Sequence, residues 1–330
     1  MNSAFPIHIR LTTGFDDLAC SPACWQAVLA RGGTNTLFQT REWLSSWWET
    51  LGKGTLLLIV AETDSETVSI APLYSVDGMV YFLGSGESDY LDLLGDPSPE
   101  MLAAMLKVAH DATADFIGFK FYLVPSASPA NSRLQQAAAM IGLELTQHLE
   151  EPAYEVDLRT HAEAIRVSTR RSMLKREDFF RKQGEFAVTT FRTAAEIQPQ
   201  LNELFAMHIN RWAGKDYRSP YELPEQRAFI ERVADVTAER GWLRLLRIDW
   251  QGKPLGLGLA WYYADTHYSG PWSFDIAHAK LCPGHVMLRN MLLLAMAEGV
   301  SIYDVRGGDD HYKDRLPTRT TTTATWGLYP

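Results

Sequence analysis

The densest group of reactive side chains in this sequence is Arg306-Gly307-Gly308-Asp309-Asp310-His311-Tyr312-Lys313. Asp310 and His311, with Asp304 just upstream, are of the types that accept a proton near neutral pH. Tyr312 is a phenol able to protonate a leaving group. Lys313 can offset charge on a phosphate or a tetrahedral oxyanion. The competing reading is a hydrated surface loop with internal ion pairs. A second group, Lys280, Cys282, Pro283, Gly284 and His285, opens the apolar run HVMLRNMLLLAMAEG. A helix start there presents backbone N–H groups to an anion such as a pyrophosphate. A third is His208, Arg211 and Trp212, where helical spacing puts His208 and Trp212 on one face with Arg211 beside them. A lone helix histidine is more often structural than functional. Cys282 precedes a proline and has no evident base, and no G-x-S-x-G elbow occurs, so covalent catalysis is not indicated. No H-E-x-x-H, paired C-x-x-C or D-x-D-x-D-G pattern is present, so no metal is expected.

The elements that must hold these groups follow from periodicity. HYSGPWSF alternates and reads as a strand, with a bulge or an edge at Gly270-Pro271 because Pro271 cannot donate to a ladder. The spacing predicts a helix beginning near His285 and closed by Gly299, then a strand over Ser301–Val305. The reactive loop therefore follows a strand end, where α/β folds place ligand sites. Upstream, strands are expected at 7–11, 56–62, 68–75, 79–83, 89–94, 116–123 and 143–149, with helices at 16–30, 41–51, 99–112 and 131–141. Asp77-Gly78 is a tight hairpin turn. Gly84-x-Gly86 has no Lys-Ser/Thr after it and reads as a turn rather than a phosphate loop. Trp43 and Trp47 share a helix face, first as anchors to a sheet and second as an aromatic wall beside a groove. From 162 to 184 the chain is basic, and Arg166, Arg170, Arg171 and Lys175 form one positive helical stripe. That stripe suits phosphates of coenzyme A, a tRNA end or a sugar nucleotide, or else is a solvated face paired with local acids. Two α/β domains are expected, residues 1–155 and 156–330, as separate sheets divided between Glu151 and His161.

Composition bounds the rest. With 330 residues, 46% of them hydrophobic, the chain can bury two ordinary cores. A net charge of −9 disfavours a general nucleic-acid binder, so no DNA partner is expected. Three scattered cysteines make no disulfide framework. The N-terminal residues show no signal-peptide pattern and no run reaches membrane-span length, so the cytoplasm is the expected compartment.

Several residues together resemble the CelD/BioF2-like acetyltransferase family, a Gcn5-related (GNAT) fold close in architecture to the Fem peptidyltransferases. They are Phe38-Gln39 with Trp43, Trp47 and Trp48; Ser88-Asp89-Tyr90; His208 with Arg211-Trp212; Phe274-Asp275; Cys282-Pro283-Gly284; Ala295 to Gly299; Tyr303-Asp304, Gly308 and Tyr312-Lys313. The resemblance implies tandem GNAT-like folds of mixed α/β sheets, side by side, the first a divergent copy of the second. It implies a donor, acetyl-CoA or another acyl-CoA, in a splay between the Tyr268–Phe274 and Ser301–Val305 strands, with its pyrophosphate at the Lys280–His285 turn. It also implies that Tyr312-Lys313 lie in a substrate channel, and that Asp89, Tyr90, His208, Arg211 and Trp212 face the acceptor. The sequence departs from the family's glycine-rich phosphate loop: Pro283 and His285 stand where glycines would, and Pro283 removes one N–H from the anion nest.

Acyl transfer by direct attack of an amine needs an oriented donor, a route for the amine proton and a donor to the oxyanion. The expected activity is therefore acyl transfer to an amine on a sugar, cell-envelope or exopolysaccharide precursor. Two alternatives stay open: a Fem-like transferase using aminoacyl-tRNA, favoured by the basic stripe, and a non-catalytic scaffold that kept the fold.

Overall fold

The structure is a computed structural model that describes residues 6–307 and 319–330. The chain divides into two compact units, 1–153 with 321–330, and 154–320.

In the first unit the elements are β1 (His8–Thr12), α1 (Pro22–Arg31), α2 (Arg41–Leu51), β2 (Thr55–Glu62), β3 (Thr67–Val76), β4 (Met79–Phe82), β5 (Leu94–Gly95), α3 (Pro99–Asp111), β6 (Gly118–Pro125), α4 (Ala130–Met140) and most of β7 (Glu144–Asp157). Strand order is β1-β2-β3-β4-β6, with β5 beside β3, and the β4–β6 pair is parallel. The Asp77-Gly78 hairpin turn forms with positive φ at both residues, as a type I′ turn requires. Thr40 caps α2 by accepting the Trp43 N–H, and Trp43 and Trp47 are buried, so they anchor the helix. The first helix starts at Pro22 rather than Asp16, because Asp17 instead caps a short 3-10 turn. No strand covers 89–93. Asp92 bonds its own neighbour's amide, Leu93 N, at 2.8 Å and accepts from Thr34 Oγ1 at 2.7 Å, side-chain bonds that compete with a ladder.

The second unit contains the end of β7, then α5 (His161–Ser168), α6 (Arg171–Gln183), β8 (Phe186–Phe191), α7 (Ala194–Trp212), α8 (Pro224–Glu239), β9 (Leu243–Trp250), β10 (Lys253–Tyr263), β11 (Thr266–Phe274), α9 (Pro283–Glu298) and β12 (Ile302–Gly307). Its strands run β12-β11-β10-β9-β8, antiparallel except for the parallel β11–β12 pair. Thr193 and Glu196 form a reciprocal capping box at the start of α7. The core packs Val286, Met287, Met291, Leu292 and Ala295 of α9 with Leu246, Ile248, Ala260 and Tyr303 of the strands. Gly256 permits this approach: a Cβ there would stand 2.7 Å from the Met287 sulfur.

Two features differ from the sequence expectation. The strand expected over 143–149 continues through Asp157, so the division between the units falls inside β7. The last strand, β13 (Arg319–Tyr329), pairs antiparallel with β6, and its residues from Thr321 onward group with the first unit. Non-local pairing of this kind leaves no periodicity signal in the sequence.

Candidate functional site

The site is built around β11. Its pairing with β10 runs Gly256↔Phe274, Leu257↔Ser273 and Gly258↔Trp272, then resumes at Ala260↔Ser269. Leu259 therefore opposes both Gly270 and Pro271, a bulge at the position expected. Gly270 is required there: a Cβ would lie 2.4 Å from the Trp261 ring and 2.8 Å from the Leu259 carbonyl oxygen. On its other edge β11 pairs with β12 at Thr266↔Ile302, His267↔Tyr303 and Tyr268↔Asp304 only. Among the described residues the pairing goes no further along β12.

α9 begins beside the far end of β11. Cys282 takes a left-handed conformation, φ 57° and ψ 52°, that turns the chain from a 3-10 segment into the helix. Pro283 occupies the first turn. Gly284 sits against β11, its missing Cβ 3.4 Å from the Phe274 ring and 3.5 Å from the Trp272 ring. Lys280 is exposed here, and His285 is exposed over only part of its surface. Burial, then Arg176 of α6, pushes the His285 imidazole below its ordinary value, so a cation from α6 stands close to the start of α9. An anion fits this charge. The amide nest is thin, because Pro283 offers no N–H and the His285 N–H already bonds Cys282 O at 3.1 Å.

The end of α7 meets the same stretch. The Arg211 guanidinium lies 4.6 Å from the Phe274 ring centroid and 4.8 Å from that of Trp272. His208, one turn before, faces Ser219 Oγ at 2.8 Å from Nδ1 and meets the Tyr221 ring edge-on. Ser219 Oγ accepts the Tyr221 N–H, which leaves its hydroxyl hydrogen for His208. Burial, helped by Arg211, holds His208 down to about 4, so the ring is neutral at pH 7. The structure thus brings Arg211 to the same strand segment as Gly284, while His208 faces Ser219 and Tyr221 and Trp212 packs against Tyr217.

Other expected residues fall elsewhere. Asp304 is buried, and its Oδ1 accepts the Arg306 N–H at 2.6 Å, holding the turn after β12. Asp310, His311, Tyr312 and Lys313 lie outside the described residues. Asp89 and Tyr90 belong to the first unit, where Tyr90 packs edge-on against Phe38. The single basic stripe is corrected: α5 ends at Ser168, where Thr169 Oγ1 bonds back to Ile165 O at 2.6 Å, and Arg170 is the extended cap of α6. Arg166 is therefore out of register with Arg171 and Lys175. Sequence reasoning missed Trp272 and Arg176. An aromatic two before Phe274 on the same strand face was the only signal for the first, and its place in the basic 162–184 segment was the only one for the second.

In this arrangement a bulged strand pairs with its parallel neighbour as far as Tyr268↔Asp304 among the described residues, and a helix starts beside the strand's far end. Residues 167–314 match the family model of the acetyltransferase (GNAT) domain. The chain is an acyltransferase. No curated protein matches it. Among solved structures, FemX is similar with a TM-score of 0.66 at 14% identity, covering 93% of this chain and 95% of that one. A conserved protein of unknown function from Bacteroides thetaiotaomicron has a TM-score of 0.61 at 12% identity, covering 97% and 100%. A tandem GNAT protein from the clavulanic acid biosynthesis pathway has a TM-score of 0.54 at 12% identity, covering 98% of each. At these identities the likeness is one of fold, tandem GNAT-like.

Proposed function

We propose that this GNAT-fold acyltransferase moves an acyl group from an acyl-CoA to an amine on a sugar, cell-envelope or exopolysaccharide precursor, as its CelD/BioF2-like residues imply. The observation that carries the reading is the end of the β11–β12 pairing at Tyr268↔Asp304 among the described residues, beside the bulge at Gly270-Pro271, taken as the donor's opening. The thioester carbonyl would lie at the throat of that opening, and the donor's phosphates at the start of α9 near Lys280 and Arg176. The amine nitrogen attacks the carbonyl, its proton passes to Asp310 or His311, and the departing thiolate is protonated by Tyr312. Arg211, spread on Trp272 and Phe274, and the neutral His208 shape the acceptor side.

Two measurements test this. Coenzyme A should protect the protein against thermal unfolding, by about 2.7 kcal/mol at 100 times its dissociation constant, because it binds only the folded state. Pro283→Gly should tighten that binding by restoring an N–H, and a variant with weaker or unchanged affinity removes the α9 start from the donor site. Lys313→Ala should slow turnover 10²–10³-fold, about 2–4 kcal/mol in the barrier, if Lys313 meets developing charge. Unchanged turnover would take it out of the mechanism.

A second reading, aminoacyl transfer from a charged tRNA, is favoured by the likeness to FemX and by exposed Arg171, Lys175 and Arg176 on α6. It requires RNA binding that weakens steeply with salt. Coenzyme A protection with little salt dependence selects the first reading.

A further inference from the structure

The outer side of α6 is largely unused by acyl transfer. The inner side of this helix packs into the core beneath α9: Met173, Glu177 and Phe180 are buried, and Glu177 accepts from Arg289 of α9 at 2.7 Å. On the outer side Arg171, Lys175, Arg176, Asp178, Phe179 and Lys182 are exposed. Phe179 is the centre of that side. Lys175 and Arg176 stand four and three residues before it and Lys182 three after, so helical spacing rings a phenylalanine with three cations. Its ring is 38% exposed, although Phe180 beside it is fully buried. Among the described residues none of Arg171, Lys175, Arg176 and Lys182 forms an ion pair. Glu177 is turned inward to Arg181 and Arg289, so Asp178 is the one acid that α6 sets among its four outward cations. This positive, ring-centred face belongs to a chain whose net charge is −9.

We propose that the outer face of α6 docks on an anionic lipid bilayer. The cations meet the phosphates of the headgroups, and Phe179 enters among them toward the acyl chains, as the apolar residues of an interfacial helix do. Each Lys or Arg brought to an anionic surface strengthens binding about fivefold, so four of them hold the protein reversibly. No described helix is long and apolar enough to cross a membrane, and docking of this kind needs none. Charge alone would also suit RNA. The form of the face favours lipid: α6 shows one exposed ring on a convex helix, whereas a single nucleic-acid strand is held by a series of rings along a groove. Docking depends on the outer side of α6 and not on which donor the second unit uses, so the two can fail separately.

The test is co-sedimentation of the full chain with phosphatidylcholine vesicles, with and without phosphatidylglycerol, at low and high salt, alongside titration with poly(U) RNA. The expected result is binding to the phosphatidylglycerol vesicles alone, lost at high salt as the charges are screened. Lys175→Gln/Lys182→Gln should weaken it about thirtyfold, the combined effect of two cations. Phe179→Ser should weaken it about threefold, the share of a ring already partly covered. Both lysines are exposed, so the lysine variant should unfold at the temperature of the parent. No binding to phosphatidylglycerol vesicles at millimolar lipid overturns the proposal, as do equal binding to both kinds of vesicle and unchanged affinity in the lysine variant. Poly(U) bound in place of the vesicles would assign the face to RNA instead.

Discussion

Glu177→Ala is expected to destabilise the second unit by about 3–5 kcal/mol, the cost of leaving a buried cation without its partner. Glu177 lies on the buried face of α6 and gathers donors from two helices. It accepts from Arg181 at 2.7 Å, from Arg289 at 2.7 Å and from Asn290 at 3.1 Å. Arg181 is half exposed and can return to water, but Arg289 cannot, since its side chain is only 16% exposed. The damage should reach the donor site, because α9 carries Arg289 on its second turn and begins at Pro283. Coenzyme A affinity should therefore fall along with stability. Glu177→Leu combined with Arg289→Leu should recover much of the stability, since an apolar pair of similar volume often replaces a buried ion pair without loss. Denaturant titration of the three proteins checks this. If Glu177→Ala costs under about 1 kcal/mol, the network behaves like an exposed pair and the account of α9 is wrong.

Acid should weaken the fold through two histidines. His267 is fully buried, stacked on Tyr303 at 4.2 Å, and neither ring nitrogen has a hydrogen-bond partner. Burial holds it down to about 3, while His208 is held to about 4 by burial and Arg211. An unfolded histidine titrates near 6.5. For a base whose folded value is depressed, the unfolded chain binds the extra proton. The stability is thus complete above about pH 6.5 and is lost as pH falls toward the folded value. Each ring should remove about 1.4 kcal/mol per pH unit in that window, or about 2 kcal/mol each by pH 5. His267→Phe should shrink the difference in unfolding free energy between about pH 8 and pH 5 by that 2 kcal/mol. It should cost little at pH 8, because it deletes two unpaired polar atoms and keeps the ring. An unchanged pH dependence would mean that His267 finds a partner and stays protonatable in the folded chain.

How much of this was legible beforehand depended on the range of the interaction. The bulge at Gly270-Pro271 and the caps at Thr40 and Gly299 are local backbone chemistry, and each lay where residue type put it. The tryptophan face of α2 was likewise readable from 3.6-residue spacing. The missing strand before Leu94 was not, because Asp92 looks like any strand residue until Thr34 is known to reach it. The break between α5 and α6 turns on a threonine hydroxyl choosing Ile165 O, a choice that helix periodicity does not encode. Within the candidate site, His208 and Arg211 could be singled out by type, but the meeting of Arg211 with Trp272 and Phe274 depends on how α7 crosses β11.

The return of β13 to β6 has a consequence for how the protein is made. Leu328 pairs with Phe119 and Thr323 with Pro125, so β6 waits for residues some two hundred positions downstream. Domains usually fold in order as they leave the ribosome. Here the first unit can form its hairpins and helices early, but its sheet keeps an unpaired edge at β6 until Arg319–Tyr329 has been made. An open edge is a template for pairing with another chain, and closing so long a loop is slow. Residues 321–330 therefore act as a latch on residues 1–153, and a nascent chain stalled before Thr321 would be the species most exposed to aggregation.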